Sequence, residues 1–114
     1  MYKRQDLSGL NLSYVDLDGA NMEDMKCYGT NLNGATIRGA SLVGNPSLGG
    51  ASLVSASLDG TKLAGCVLAG ASLASASLKG VDASSADFTR ANLSRTDLST
   101  VSYTHLTLPT ILLV

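Results

Sequence analysis

The chain has no tryptophan, one phenylalanine and four tyrosines in 114 residues. So few rings exclude a stacking platform for bases or sugars. It has one histidine and two cysteines, Cys27 and Cys66. They form no zinc-type spacing, and the sequence holds neither a nucleophile–base pairing nor a phosphate-binding glycine loop. Charge is scarce and balanced, 8 Lys+Arg against 9 Asp+Glu for a formal net charge of −1. That total announces neither a polyanion-binding surface nor a strongly acidic one. No run approaches the ~18 apolar residues needed to span a bilayer. The start, MYKRQDLSG, lacks the apolar run of a secretory signal. The expectation is a non-enzymatic, cytoplasmic protein with no cofactor, no metal, no membrane contact and no direct nucleic-acid binding.

What is present is leucine, alanine, glycine and serine, a mix that reads as a flexible linker until its spacing is examined. An apolar residue recurs every fifth position, from Leu7, Leu12 and Leu17 to Ile37 and Leu42. It resumes at Leu48 and runs through Leu53, Leu73 and Phe88 to Leu98. These centres define nineteen units over residues 5–100, fourteen of them centred on leucine. On an α-helix a step of five residues turns about 140° and smears the leucines around the cylinder. On a straight strand it flips each leucine to the opposite face. A chain that keeps every centre inside must turn a corner once per unit.

The other places in the unit say how. Two residues before the centre stands a small or apolar residue, such as Ala35, Ala56, Cys66 or Ala76. Spacing of two in extended chain puts both side chains on one side. The residue between them therefore points out, and it is polar nearly throughout, as in Asp6, Asn11, Asp16, Asn31, Ser72 and Asn92. Two residues after the centre comes the corner, where eleven of the twelve glycines lie. A four-residue turn Leu-x-Gly-Ala has glycine in the third place, which in a type II turn needs φ > 0. Where the corner is Asp24, Ser55, Ser75, Ser85, Arg90 or Arg95, the expectation is a type I-like turn instead.

The recurring pattern A(D/N/S)Lxx, seen as ANMED, ASLVS, ASLDG, ADFTR and ANLSR, resembles the pentapeptide-repeat proteins over about five-sixths of the chain. The resemblance implies an all-β fold, a right-handed quadrilateral β-helix, here with about five coils. Four-sidedness belongs to the resemblance; the period by itself gives one corner per five residues. With four units per coil the centres stack in four columns. The phase slips by one residue in GNPSLGG, with Asn45 as the extra residue and Pro46 in the small inward place. Cys27 and Cys66 then lie on one side of the coil, two layers and roughly 9–10 Å apart, too far for a disulfide. Both read as small buried hydrophobes in a reducing compartment.

One outward column alternates in sign: Asp18, Arg38, Asp59, Lys79. With Asp16 beside it, this is the candidate interaction surface. Lys62 stacks beside Asp82 in the same manner, and Asp6, Asp16, Asp18, Glu23 and Asp24 gather in the first coil. After Thr100 the text changes to VSYTHLTLPTILLV. Residues 101–110 resemble a translated adapter used in sequencing-library preparation. On that resemblance the repeat domain is 5–100 and residues 101–114 are a foreign or disordered tail, whose His105 carries no catalytic weight. The alternative stays open that Val101 and Tyr103 fill the small and centre places and that the tail caps the last coil.

For function, a rigid rod with polar ladders suits protein–protein contact with an unidentified partner, and open coil ends suit end-to-end association into a homo-oligomer. The family resemblance implies an alternative. Some members imitate duplex DNA and bind DNA gyrase, giving quinolone resistance. That role calls for a longer and more acidic rod than this one.

Overall fold

The computed structural model describes residues 5–43, 47–102 and 108. Parallel bridges pair Asp6 with Lys26, Asn11 with Asn31, Asp16 with Thr36 and Asn21 with Ser41, each twenty residues on. From Lys26–Ser47 to Ser41–Lys62 the separation is twenty-one, and from Ser47–Val67 to Asp82–Ser102 it is twenty again. Every outward residue of the sequence pattern is thus a bridge residue, and every coil takes four units. The chain is a right-handed, four-sided β-helix. Its two shorter principal extents, 22 and 20 Å, are nearly equal, as a square section requires.

Four faces follow in chain order. Face 1 is centred on Leu7, Cys27, Leu48, Leu68 and Phe88. Face 2 has Leu12, Leu32, Leu53, Leu73 and Leu93. Face 3 has Leu17, Ile37, Leu58, Leu78 and Leu98. Face 4 has Met22, Leu42, Leu63 and Ala83. In the middle coils these centres are at most 1% exposed, and Ala35, Ala56, Cys66 and Ala71 fill the spaces beside them. Leu7, Leu12 and Leu98, in the outer layers, are only partly buried. Each fully buried leucine contributes roughly 1.5–3 kcal/mol of apolar transfer, so the middle coils hold the stack together.

The backbone bonds explain why the unit is five residues long. In the unit centred on Leu73, Ala71 N–H closes the preceding turn on Leu68 C=O at 3.0 Å. Ser72 N–H donates back one coil to Ala51 C=O at 2.9 Å. Leu73 and Ser75 N–H donate forward one coil, to Asn92 and Ser94 C=O, at 2.7 and 2.8 Å. Four of five amides are therefore used by the coil itself. The fifth belongs to the residue between centre and corner, called here the turn place, and must look outside the backbone for an acceptor.

The corners differ from the expectation at the non-glycine positions. Asp24, Ser55, Ser75, Ser85, Arg90 and Arg95 all have φ between +57° and +60°, and so does Tyr14 at +61°. They make the same turn as the glycine corners, not a type I turn. The reason lies in the peptide joining turn place to corner. Ala74 C=O accepts Ser55 N–H from the previous coil at 3.0 Å, while Ser75 N–H donates to the next coil. A type I turn flips that peptide and breaks both bonds. Two hydrogen bonds at about 0.5–1.5 kcal/mol each offset the roughly 1–2 kcal/mol that a left-handed L-residue costs.

Among the described residues no buried polar side-chain atom lacks a partner. Thr30, Thr61 and Thr96 occupy small places, are buried, and donate their hydroxyls to Leu7, Ile37 and Leu73 C=O at 2.8, 2.7 and 2.8 Å. Each accepting carbonyl already closes a turn, so threonine replaces alanine there without stranding a group. The register shift falls between the bridges at Ser41 and Ser47, as the slip in the sequence requires. Asn45 and Pro46 themselves lie outside the described residues. Val101 N–H closes a turn on Leu98 C=O at 3.2 Å, and Ser102 pairs with Asp82. The ladder thus runs two residues past Thr100. Tyr103 and His105 lie outside the described residues. No helix among the described residues is long and apolar enough to cross a membrane.

Candidate interaction surface

The outward polar residues are not simply solvated. In face 1 the Asp6 carboxylate accepts the N–H of Ser8 at 3.0 Å, and in face 2 Asn11 Oδ1 accepts that of Ser13 at 3.1 Å. The same bond joins Asp16 to Asp18, Asn31 to Asn33, Asp82 to Ser84, Asp87 to Thr89, Asn92 to Ser94 and Asp97 to Ser99. Each is an Asx turn that supplies the acceptor for the fifth amide of the unit. Asp and Asn recur at this place because their oxygen reaches two residues on. The sequence signal was present as the repeated D/N two residues before the turn place.

Where the bridge residue is threonine, serine, lysine or valine, the acceptor comes from elsewhere or is absent. On face 3 the amides of Arg38 and Lys79 find it in the coil before. Asp18 Oδ1 accepts Arg38 N–H at 2.8 Å, and Asp59 Oδ1 accepts Lys79 N–H at 3.1 Å. Asn33 on face 2 does the same for Val54 at 2.9 Å. Ala74 N–H has no acceptor among the described residues.

Face 3 therefore holds all five candidate residues. Arg38 binds Asp18 Oδ2 through Nη2 at 2.7 Å and Nε at 3.1 Å. Asp18 thus grips its neighbour layer by side chain and backbone together. Asp16 accepts the Asp18 amide and, at 3.3 Å, the Thr36 hydroxyl. Asp59 accepts the Ser77 hydroxyl as well as the Lys79 amide. Of the ladder read from the sequence, Asp18–Arg38 is an ion pair, whereas Asp59 meets Lys79 through the backbone. Lys62 and Asp82 are bridge partners through the backbone, but the Asp82 carboxylate turns onto Ser84 at 3.1 and 2.7 Å.

Electrostatics follow these bonds. The Arg38 side-chain hydrogen bond holds the Asp18 carboxyl below the usual range, and the same contact raises Arg38. Side-chain bonds from Ser84, Thr89 and Ser99 lower Asp82, Asp87 and Asp97, and the Ser8 backbone amide lowers Asp6. Burial pushes the Cys27 thiol up to about 11 and raises Cys66 further. Neither cysteine is in a disulfide, and both are buried. Among the described residues no group of His, Cys, Asp and Glu is placed to hold a metal ion.

Twenty-residue layers, a type II corner every fifth residue and Asx caps on the outward place make a recurring unit. A family model described as pentapeptide repeats matches eight copies of it, over residues 51–90 and 66–102. Residues 51–102 carry the repeats of the pentapeptide-repeat family. No curated protein matches it in sequence. Among solved structures, the pentapeptide-repeat protein Rfr23 from the cyanobacterium Cyanothece 51142 is 23% identical with a TM-score of 0.90. That match covers 94% of this chain and 86% of that one. Trypsin-treated QnrB1, a plasmid-mediated fluoroquinolone resistance protein, is 16% identical with a TM-score of 0.60, over 88% of this chain and 60% of that one. This chain thus spans about three-fifths of the QnrB1 chain. Both likenesses are of fold. The pentapeptide repeats here use their side chains for packing, corner formation and amide capping, and face 3 adds charges that tie one layer to the next.

Proposed function

We propose that this pentapeptide-repeat chain is a non-catalytic protein-interaction module and that face 3, with Asp16, Asp18, Arg38, Asp59 and Lys79, is its contact surface. The observation that carries the reading is the anchoring of the Asp18, Arg38 and Asp59 side chains between consecutive layers, Asp18 on Arg38 and Asp59 on the Lys79 amide and the Ser77 hydroxyl. Side chains already held in place lose little freedom on binding, which is where a flat polar surface gains affinity. Anchored charges also discriminate partners by sign and spacing. The partner class is a protein whose charges alternate at the layer repeat of about 4.8 Å, met in the cytoplasm.

The test is affinity capture with three baits from the native host. These are the natural chain, a face 3 variant (Arg38→Asp with Lys79→Glu) and a face 4 variant (Lys62→Glu). A protein retained by the natural and face 4 baits and lost from the face 3 bait supports the reading. Equal retention by all three removes it.

The likeness to QnrB1 supplies a second reading, topoisomerase binding by imitation of duplex DNA, for which only the fold speaks. Asp6 and Asp16 are turned onto backbone amides and Asp18 onto Arg38, which weakens the acidic surface such imitation needs. A DNA gyrase supercoiling assay with excess protein decides it: no inhibition and no rescue from a quinolone end this reading.

A further inference from the structure

The charges on face 3 have an order with a geometric consequence. In successive layers the turn place carries Asp18, Arg38, Asp59 and Lys79, which is negative, positive, negative, positive. Read backwards, the order is positive, negative, positive, negative. Consider a second copy related by a two-fold axis that lies in the contact plane and crosses the rod at right angles. That operation reverses the layers and keeps sideways position. The first layer then meets the fourth and the second meets the third. Asp18 faces Lys79 of the second copy, Arg38 faces its Asp59, and by symmetry each contact occurs twice.

The column beside it also fits. Asp16 faces Ser77 of the second copy and Thr36 faces its Ser57, so no like charges meet. A two-fold axis along the rod keeps the layers level instead; run through the charged column it sets Asp18 on Asp18 and Arg38 on Arg38, and run midway between the two columns it sets Asp18 on Asp16. Under the same reversal face 4 sets Lys62 against Ser41 and Asp82 against Asn21, so none of its charges is matched. Face 1 in the same register sets Asp6 against Val67 and Lys26 against Ser47, again with no charges matched. Face 2 has no charge in its outward column. In this register, with the fifth layer and its Asp97 overhanging the contact, face 3 is the surface whose charges are matched twice over by its own reversed image.

We infer that face 3 is a homodimer contact in which two copies pack antiparallel, Arg38 against Asp59 and Asp18 against Lys79. The inference rests on the reading of face 3 as the contact surface and names its partner as a second copy of this chain. Arg38 suits the central position. Its side chain is 57% exposed while paired with Asp18, and a guanidinium has donors enough for a second carboxylate. Flat β faces pack about 10 Å apart, within reach of arginine and lysine from one side. Four layers of a face some 20 Å wide bury roughly 800 Å² in total, below the ~1,200 Å² of stable complexes. The dimer is therefore weak, exchanging and sensitive to salt.

The test is sedimentation velocity on the full chain at a concentration on the order of 0.5 mM, in about 50 mM and about 500 mM salt. The natural chain should dimerise at low salt, with Kd at least about tenfold weaker at high salt. Arg38→Asp alone and Asp59→Arg alone should each be monomeric, since each sets like charges together. Mixed in equal amounts they should dimerise again, because Asp at 38 then meets Arg at 59 and Asp59 meets Arg38. Should either fail to fold by circular dichroism, Asp18→Lys and Lys79→Glu make the same reciprocal pair at the outer contacts. A monomeric natural chain at low salt overturns the inference. So does self-association of both single variants, as end-to-end stacking predicts, or a mixture no more associated than its components. None of these results bears on the capture experiment, so the contact-surface reading stands or falls separately.

Discussion

The Asp87 carboxylate accepts the backbone N–H of Thr89, two residues later and 2.9 Å away, and also takes the Thr89 hydroxyl. The backbone of the same residue bridges its coil to Val67. One residue thus serves the ladder with its backbone and the turn with its side chain. The arrangement returns in Asp6, Asp82 and Asp97.

These carboxylates make the fold acid-sensitive. Their folded pKa values lie below the ordinary value, so their stabilisation is complete above the unfolded pKa of about 3.9. It is lost as pH falls through the lower folded values. The melting temperature should be nearly level from about pH 7 to 5 and fall below about pH 4. Asp87→Asn should keep the neutral-pH melting temperature, because asparagine caps the same amide in Asn92–Ser94, and should flatten the acid limb. Asp87→Ala should lower the melting temperature at neutral pH by about 4 °C. An Asn variant as damaged as the Ala variant would contradict the capping account.

The corners give a prediction of opposite sign at neighbouring positions. Ser75 has φ +60° and Gly70 has φ +71°. Ser75→Gly should stabilise by about 1 kcal/mol and Gly70→Ala should destabilise by about as much, read from urea midpoints. Gly34→Ala should cost more than Gly70→Ala. A β-carbon there comes 2.5 Å from the Tyr14 ring that lies over it, whereas at Gly70 the nearest atom beyond its chain neighbours is the Gly50 nitrogen, 4.0 Å away. Equal losses at 34 and 70 would show that the Tyr14 ring contributes nothing.

The thiols should be silent. Cys27 and Cys66 are buried and their pKa values are raised, so little thiolate exists at pH 8. A thiol reagent should titrate neither in the native chain and both in guanidinium. Rapid native labelling of Cys66, the more deeply buried of the two, would mean that the middle coils open readily.

The leucines at period five, the small residue two places before and the glycine two places after were enough to place each centre inside and each corner outside. The slip before Leu48 located the change from twenty to twenty-one residues per layer. Three things were not legible. Serine or arginine at a corner reads as a type I turn on propensity alone, but the ladder fixes the peptide orientation and overrides propensity at Ser75 and Arg90. Asp and Asn in the outward place read as solvated, because the amide they cap is identified only after the ladder has claimed the other four. Within the charged column, the sequence ordered the signs of Asp59 and Lys79 but did not tell that the Asp59 oxygen goes to the Lys79 amide. That choice depends on which side-chain acceptors reach the turn place, which is a matter of angstroms.

Everything proposed for face 3 depends on residues twenty apart in sequence being neighbours along one face. The most direct measurement is disulfide formation in paired cysteine variants. Ser57 and Ser77 are bridge partners on face 3 in adjacent layers, at the strand spacing of about 4.8 Å, inside the range a disulfide accepts. Ser57 and Ser72 lie on different faces. The account predicts that Ser57→Cys with Ser77→Cys oxidises to an intramolecular disulfide while Ser57→Cys with Ser72→Cys stays reduced under the same conditions. Oxidation of the 57/72 pair with none at 57/77 would contradict the four-sided coil and, with it, the charged face.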